Sequence, residues 1–185
     1  MFSVSEASRI CENPTEADYK NLMNILQYLK GTKNKSIHYN KDNKFIGYSD
    51  SDFANDEKTG RSKSGYIFLL GKSPISWKSQ LQKNETLNTG EAEFISLTEC
   101  TKQALWFKSL FKEIFNQEIK FKIMVKVCIV IAQDTNFKGR CKHIDLRYKF
   151  IQEEIMKNEI KLECINTENM LAYLLTKSIS GVQMT

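Results

Sequence analysis

Asp50 and Glu93 are the residues of this chain whose type and placement suit chemistry at a metal ion. Asp50 closes the strand-like run Phe45-Ile46-Gly47-Tyr48-Ser49-Asp50. Glu93 falls in the first turn of a long apolar helix, within Thr89-Gly90-Glu91-Ala92-Glu93-Phe94. A hydrolase that cuts a phosphodiester with two metal ions needs about four such oxygen donors converging on one spot. Asp50 and Glu93 would supply half of that set.

Each acid also has a plainer reading. Glu93 stands four residues before Leu97 and continues the stripe Leu97, Cys100, Ala104, Phe107, Phe111 and Ile114. An acid on an apolar face is costly unless it is protonated, paired or bound to metal. Its plain alternative is a first-turn glutamate favoured by the helix dipole. Glu91 is rotated off the stripe and lies three residues after Asn88, so it reads as the acid of a capping box. Asp50 shares a face with Ile46 and Tyr48. Strand-end acids also open turns, and Asp52 is the natural loop acid.

The elements that must carry these residues are legible as an order. Asn13-Pro14-Thr15-Glu16 reads as a helix start with Asn13 as N-cap, followed by an apolar face at Leu22, Ile25, Leu26 and Leu29 and a stop at Gly31. Ile37-His38-Tyr39 reads as a short strand that turns back into the strand ending at Asp50. Gly65–Leu70 and Pro74–Trp77 read as a hairpin. A helix from Glu91 to about Phe115 follows, then a strand at Ile119, Phe121, Ile123, Val125 and Val127, with Lys120, Lys122 and Lys126 on its other face. A helix around Ile144 to Ile155, a strand at Ile160, Leu162 and Cys164, and a short helix capped by Thr167 complete the series. Antiparallel strands first and β–α alternation later predict an α/β layered domain with a mixed sheet flanked by helices.

A chain of 185 residues, 41% hydrophobic and 26% charged, has the make-up of one globular domain with a buried core. Its apolar runs fall short of a membrane span and no signal peptide is expected at its start, which excludes a membrane partner. The net charge of +5 fits a solvated surface as well as a nucleic-acid partner. Cys11, Cys100, Cys128, Cys141 and Cys164 are odd in number and without close-pair spacing, so reduced thiols in an intracellular compartment, cytoplasm or nucleus, are expected.

Several motifs together resemble one family. Gly47-Tyr48-Ser49-Asp50-Ser51-Asp52-Phe53-Ala54 is similar to the opening strand of the ribonuclease H domain in copia-type retrotransposon Pol polyproteins. The resemblance runs on through Arg61–Tyr66, Ile75-Ser76-Trp77, Gly90–Leu97, Lys142–Tyr148 and Leu171–Lys177. Asn13-Pro14-Thr15 and Tyr28–Thr32 resemble the segment that joins the reverse transcriptase to that domain. Residues 1–40 are accordingly expected to be a remnant of this connection, 41–180 the ribonuclease H-like domain, and 181–185 a tail.

The resemblance implies cleavage of RNA in RNA–DNA hybrids with two Mg²⁺ ions held by four acids. The first acid maps to Asp50 and the second to Glu93. The third belongs at the end of the fourth strand, and a gap-free count back from Lys142-His143-Ile144 reaches Met124; the fourth maps to Tyr173. A thioether and a phenol do not replace hard anionic ligands for Mg²⁺. No acid lies between Glu118 and Asp134, and Asp52, Asp134 and Glu168 are the conceivable stand-ins. The reading is therefore a degenerate ribonuclease H-like domain with doubtful Mg²⁺ binding and weak affinity for RNA–DNA hybrid or other nucleic acid. A co-opted, non-catalytic binding or scaffold domain stays open, as does an active two-metal nuclease with a rearranged site. If only ligands were lost, Met124→Asp with Tyr173→Asp should restore cleavage.

Lys142, His143 and Arg147 cluster at the start of a predicted helix. They read equally as phosphate contacts, which basic residues make without sequence preference, and as a solvated face. Arg61, Lys63 and Lys78 are candidates for the same side, while Trp77 reads as a core or edge residue of the hairpin.

Overall fold

The computed structural model describes residues 1–42, 44–126 and 142–178, with the side chains of 142–145 left out. Its described elements are α1 (Phe2–Ser8), α2 (Glu16–Gly31), β1 (Phe45–Asp52), β2 (Lys63–Leu70), β3 (Ser73–Leu81), α3 (Thr89–Phe115), β4 (Phe121–Val125), α4 (Lys142–Met156) and β5 (Ile160–Cys164). Two 3₁₀ turns, Thr167–Asn169 and Leu171–Leu175, follow. The sheet order is β3-β2-β1-β4-β5. β1, β2 and β3 pair antiparallel, whereas β4 joins β1 and β5 in parallel. The mixed sheet expected from the element order is what forms.

The core lies between the sheet and the apolar stripe of α3. Leu97, Cys100, Ala104 and Phe107 are buried on α3 against Phe68, Phe121 and Ile123 of the sheet. The rings meet edge to face, Phe68 with Phe107 at 5.5 Å and with Phe121 at 5.9 Å between centroids. Such pairs add to the burial of large apolar surfaces. A Cβ on Gly47 would come within 2.7 Å of the Phe68 ring, so this glycine lets the ring approach β1 closely. The stripe stops earlier than its spacing suggests: Ile114 is exposed.

Local boundaries shift for identifiable reasons. Thr15, not Asn13, caps α2: its side chain accepts from the Asp18 amide while Asp18 accepts from the Thr15 amide, a reciprocal capping box. α3 begins at Thr89, capped by Asn88, whose Oδ1 accepts from the Glu91 amide at 2.9 Å. Glu91 in turn accepts from the Leu87 amide at 2.8 Å, as a capping acid would. The earlier start moves Glu93 out of the first turn, which removes the helix dipole as the reason for its position. Ile37–Tyr39 is not a strand. It lies along β3 through side-chain bonds, with Tyr39 Oη donating to the Pro74 carbonyl at 3.1 Å and Ser73 donating to the His38 carbonyl. The final expected helix is instead the pair of 3₁₀ turns.

The N-terminal segment docks through charge. Glu6 of α1 pairs with Lys63 of β2, and Arg9 Nη2 meets Asp56 Oδ1 at 2.7 Å. α2 buries no residue, and Leu22, Leu26 and Leu29 stay exposed on it. Residues 181–185 lie outside the described residues. No helix among the described residues is long and apolar enough to cross a membrane.

Candidate active site

Four elements converge on Asp50: the end of β1, the start of α3, the residue following β4, and the terminal 3₁₀ turn. Asp50 is fully buried, and the Ser96 hydroxyl of α3 donates to its main-chain carbonyl at 2.7 Å, tying strand to helix. Its partner in the β1–β2 register is Gly65. A Cβ on Gly65 would stand 2.8 Å from Leu175 Cβ and 2.9 Å from Thr176 Cγ2. The absence of a side chain there seats the last turn over Asp50, and Ser79 Oγ anchors it by donating to the Leu175 carbonyl at 2.6 Å. Thr176 then donates its hydroxyl to Asp50 Oδ2 at 2.5 Å.

The other carboxylate oxygen meets a cation. Lys126 Nζ lies 2.6 Å from Asp50 Oδ1, with the lysine side chain 16% exposed. The register explains the contact. Tyr48 of β1 pairs with Met124 of β4, so Asp50 and Lys126, each two residues further on the same face, stand side by side. Met124, the expected position of a third acid, is half-buried and set back by two residues from Asp50.

Tyr173, the expected position of the fourth acid, does reach the site. Its ring lies 5.1 Å from Lys126 Nζ and 5.2 Å from Lys177 Nζ, within range for cation–π attraction. Lys177 Nζ also meets Asp52 Oδ1 at 3.2 Å. The result is an alternating series, Asp50–Lys126–Tyr173–Lys177–Asp52, in which the carboxylates face ammonium groups.

Glu93 completes the constellation from α3 and is 6% exposed. Burial pushes its carboxyl up to about 7, and the charge of Asp50 pushes the same way, while Lys126 and Ser51 draw it back in part. Asp50 and Glu93, from the end of β1 and the start of α3, are thus near enough for the charge of one to act on the other. Among the described residues, however, no group of three or more His, Cys, Asp or Glu side chains could hold a metal ion. Asp52 is engaged by Lys177 and by Asn55, and Glu168 is an exposed residue that shares a shallow hollow with Lys126. Asp134 lies outside the described residues.

The basic residues divide. Lys63 is buried against Glu6 and the Phe2 ring, and Lys78 Nζ is 3.4 Å from Glu99, so neither lines an open phosphate track. Lys63 opens β2 and is flanked on both sides, by Asp52 of β1 and Leu81 of β3. Arg147 is half-buried on α4, and the side chains of Lys142 and His143 lie outside those described. Trp77 is 42% exposed on the edge strand β3, as an edge residue would be. Lys126 and Thr176 are the site residues that sequence reasoning passed over. The signal for Lys126 was present, since the alternation that assigns Met124 to one face of β4 assigns Lys126 to it too.

The chain is 32% identical over 96% of its length to the retrovirus-related Pol polyprotein from transposon TNT 1-94 of Nicotiana tabacum. It is equally 32% identical, over 97% of its length, to that from transposon RE1 of Arabidopsis thaliana. It spans 14% and 13% of the length of these curated relatives. No protein-family model matches. Among solved structures, LC11-RNase H1 in complex with RNA/DNA hybrid superposes with a TM-score of 0.52 at 15% identity, covering 71% of this chain and 93% of that one. The N-terminal RNase H domain of a Mycobacterium tuberculosis protein does so with a TM-score of 0.53 at 14% identity, covering 76% and 91%.

Proposed function

Because this chain belongs to the copia-type retrotransposon Pol polyproteins and has the ribonuclease H fold, we propose that it descends from an enzyme cutting RNA in RNA–DNA hybrids and has lost the cutting while keeping affinity for the hybrid. The observation that carries this reading is the composition of the site. Asp50 and Glu93 are together, but the places of the other two acids hold Met124 and Tyr173, and no set of three potential ligands exists among the described residues. Mg²⁺ prefers oxygen ligands in near-octahedral array, and a thioether, a phenol ring and a neighbouring ammonium do not fit it. Losing one donor from a preorganised charged site typically lowers kcat about 10²–10³-fold. With two donors gone, turnover should be negligible.

The fold of a hybrid-bound ribonuclease H1 and the basic charge of the chain support a retained nucleic-acid contact. The free, exposed thiols of Cys11 and Cys164 suit a reducing intracellular compartment. The test is a labelled RNA–DNA hybrid offered with Mg²⁺ or Mn²⁺, alongside filter binding over a salt series. The expected result is no cleavage with salt-dependent binding. Robust cleavage abolished by Asp50→Asn would overturn the reading, and absence of any binding would leave only the fold as inheritance.

A further inference from the structure

A carboxylate buried in the middle of a sheet needs a counter-charge, and this chain supplies one from the Lys126 side chain. Asp50 is fully buried; Thr176 Oγ1 donates to its Oδ2 at 2.5 Å, while Oδ1 accepts no hydrogen bond among the described residues and is met by the Lys126 ammonium as an ion pair at 2.6 Å. A Mg²⁺ ion would have to bind the same carboxylate at about 2.0–2.1 Å. It would then stand beside an ammonium group already in contact with that carboxylate, two positive charges in a partly desolvated space. The ring of Tyr173 backs Lys126 where an acid would otherwise recruit metal.

We propose that Lys126 is the resident cation of this site, neutralising Asp50 in place of a divalent ion and shutting that ion out. The inference rests on the reading of Asp50 and Glu93 as half of a former metal site. It also changes what repair requires. Acids placed at Met124 and Tyr173 would meet a carboxylate already occupied, so a working metal site needs Lys126 removed as well.

The experiment is a double-mutant cycle on the whole chain with Lys126→Met, Asp50→Asn and the pair together, melted in EDTA and titrated with MnCl₂ by calorimetry. Lys126→Met keeps the length of the side chain and removes its charge. In EDTA it should lower Tm by roughly 10 °C, because it strands a buried carboxylate. The pair should lose far less than the sum of the single changes. Neither the unaltered chain nor Met124→Asp with Tyr173→Asp should take up Mn²⁺, whereas adding Lys126→Met to those two acids should give uptake and raise Tm. If Lys126→Met fails to fold while the double variant folds, the coupling is established by that contrast. Additive losses in EDTA, failure of both to fold, Mn²⁺ uptake while Lys126 is in place, or no uptake by the chain with both acids added and Lys126→Met would each overturn the proposal. Additivity would do so while leaving the absence of hybrid cleavage untouched, whereas cleavage by the unaltered chain would overturn the proposed function and leave a metal-free coupling standing.

Discussion

Two ion-paired lysines in this molecule, Lys63 buried and Lys126 half-buried, are placed in opposite circumstances. Lys63 opens β2 with its side chain 1% exposed, paired with Glu6 and lying 4.4 Å from the centroid of the Phe2 ring. Lys126 follows β4, paired with Asp50 and backed by the Tyr173 ring. At Lys63 the lysine is the buried partner, and its acid, on the short helix α1, is 39% exposed. At Lys126 the acid is the buried partner, fixed by the ladder and by Ser96. The same ion pair therefore answers two problems: one shields a cation stranded in the sheet, the other an anion. The partner that sits deeper determines which substitution does harm, since the uncompensated charge left behind carries most of the penalty.

The comparison can be broken first at Lys126. Lys126→Met should destabilise the chain by about 3–5 kcal/mol in metal-free buffer, as removal of one partner of a buried pair does. Denaturant melts yield this figure, and a loss no larger than that of a surface lysine would dissolve the contrast. Glu93 is the second acid at the same end. Its unfolded carboxyl titrates near 4.5 and its folded one at about 7. The stability linked to its proton is thus fully present below pH 4.5 and drains away as pH rises to about 7. The full span is on the order of 3 kcal/mol. Glu93→Gln should flatten stability across that interval, and an unchanged slope would show that the buried acid lies elsewhere.

Gly65→Ala tests the seat of the last turn. The new Cβ has no room against Leu175 and Thr176, and displacing them should cost about 2 kcal/mol and detach the Thr176 hydroxyl from Asp50. The smallest effect is expected at Glu6→Gln, about 1 kcal/mol at neutral pH, because Glu6 is half in solvent and Lys63 has an alternative to pairing. Burial holds the Lys63 ammonium below its ordinary range. A lysine whose folded value is depressed contributes stability above its unfolded value of 10.5 and loses it as pH falls through the folded one. The Glu6→Gln variant should accordingly recover as pH is raised toward 10, and melts at several alkaline pH values would show it. No recovery would place the α1 contact in packing rather than charge.

How much of this was legible depends on range. The stripe on α3, the alternation in β1 and the hairpin that became β2 and β3 are repeats of period 3.6 or 2 within single segments. They were readable because burial of one face imposes them locally. The candidate site was readable in half. Glu93 stood out as an acid on an apolar stripe, and Asp50 as an acid closing a strand. Lys126 was assigned to the polar face of its strand together with Lys120 and Lys122 and left there as a surface lysine. That face is solvent for most of the strand and becomes interior only where the last turn covers it. Lys63 misled for the same reason: a lysine in a strand is ordinarily an edge or surface residue, and here the strand is flanked on both sides.

The sequence by itself determined that this chain builds a mixed, helix-flanked sheet, with Asp50 closing one of its strands and Glu93 on the buried stripe of a helix. It determined these because they follow from side-chain type and from the spacing of near neighbours. Only the tertiary structure decided what meets Asp50. Thr176 reaches it across 126 positions of chain, and Lys126 through a parallel pairing whose register no local pattern specifies. A shift of two residues in that register would have set Met124 beside Asp50. The charge that neutralises a buried acid is thus chosen by how strands align, and alignment is a property of the folded sheet.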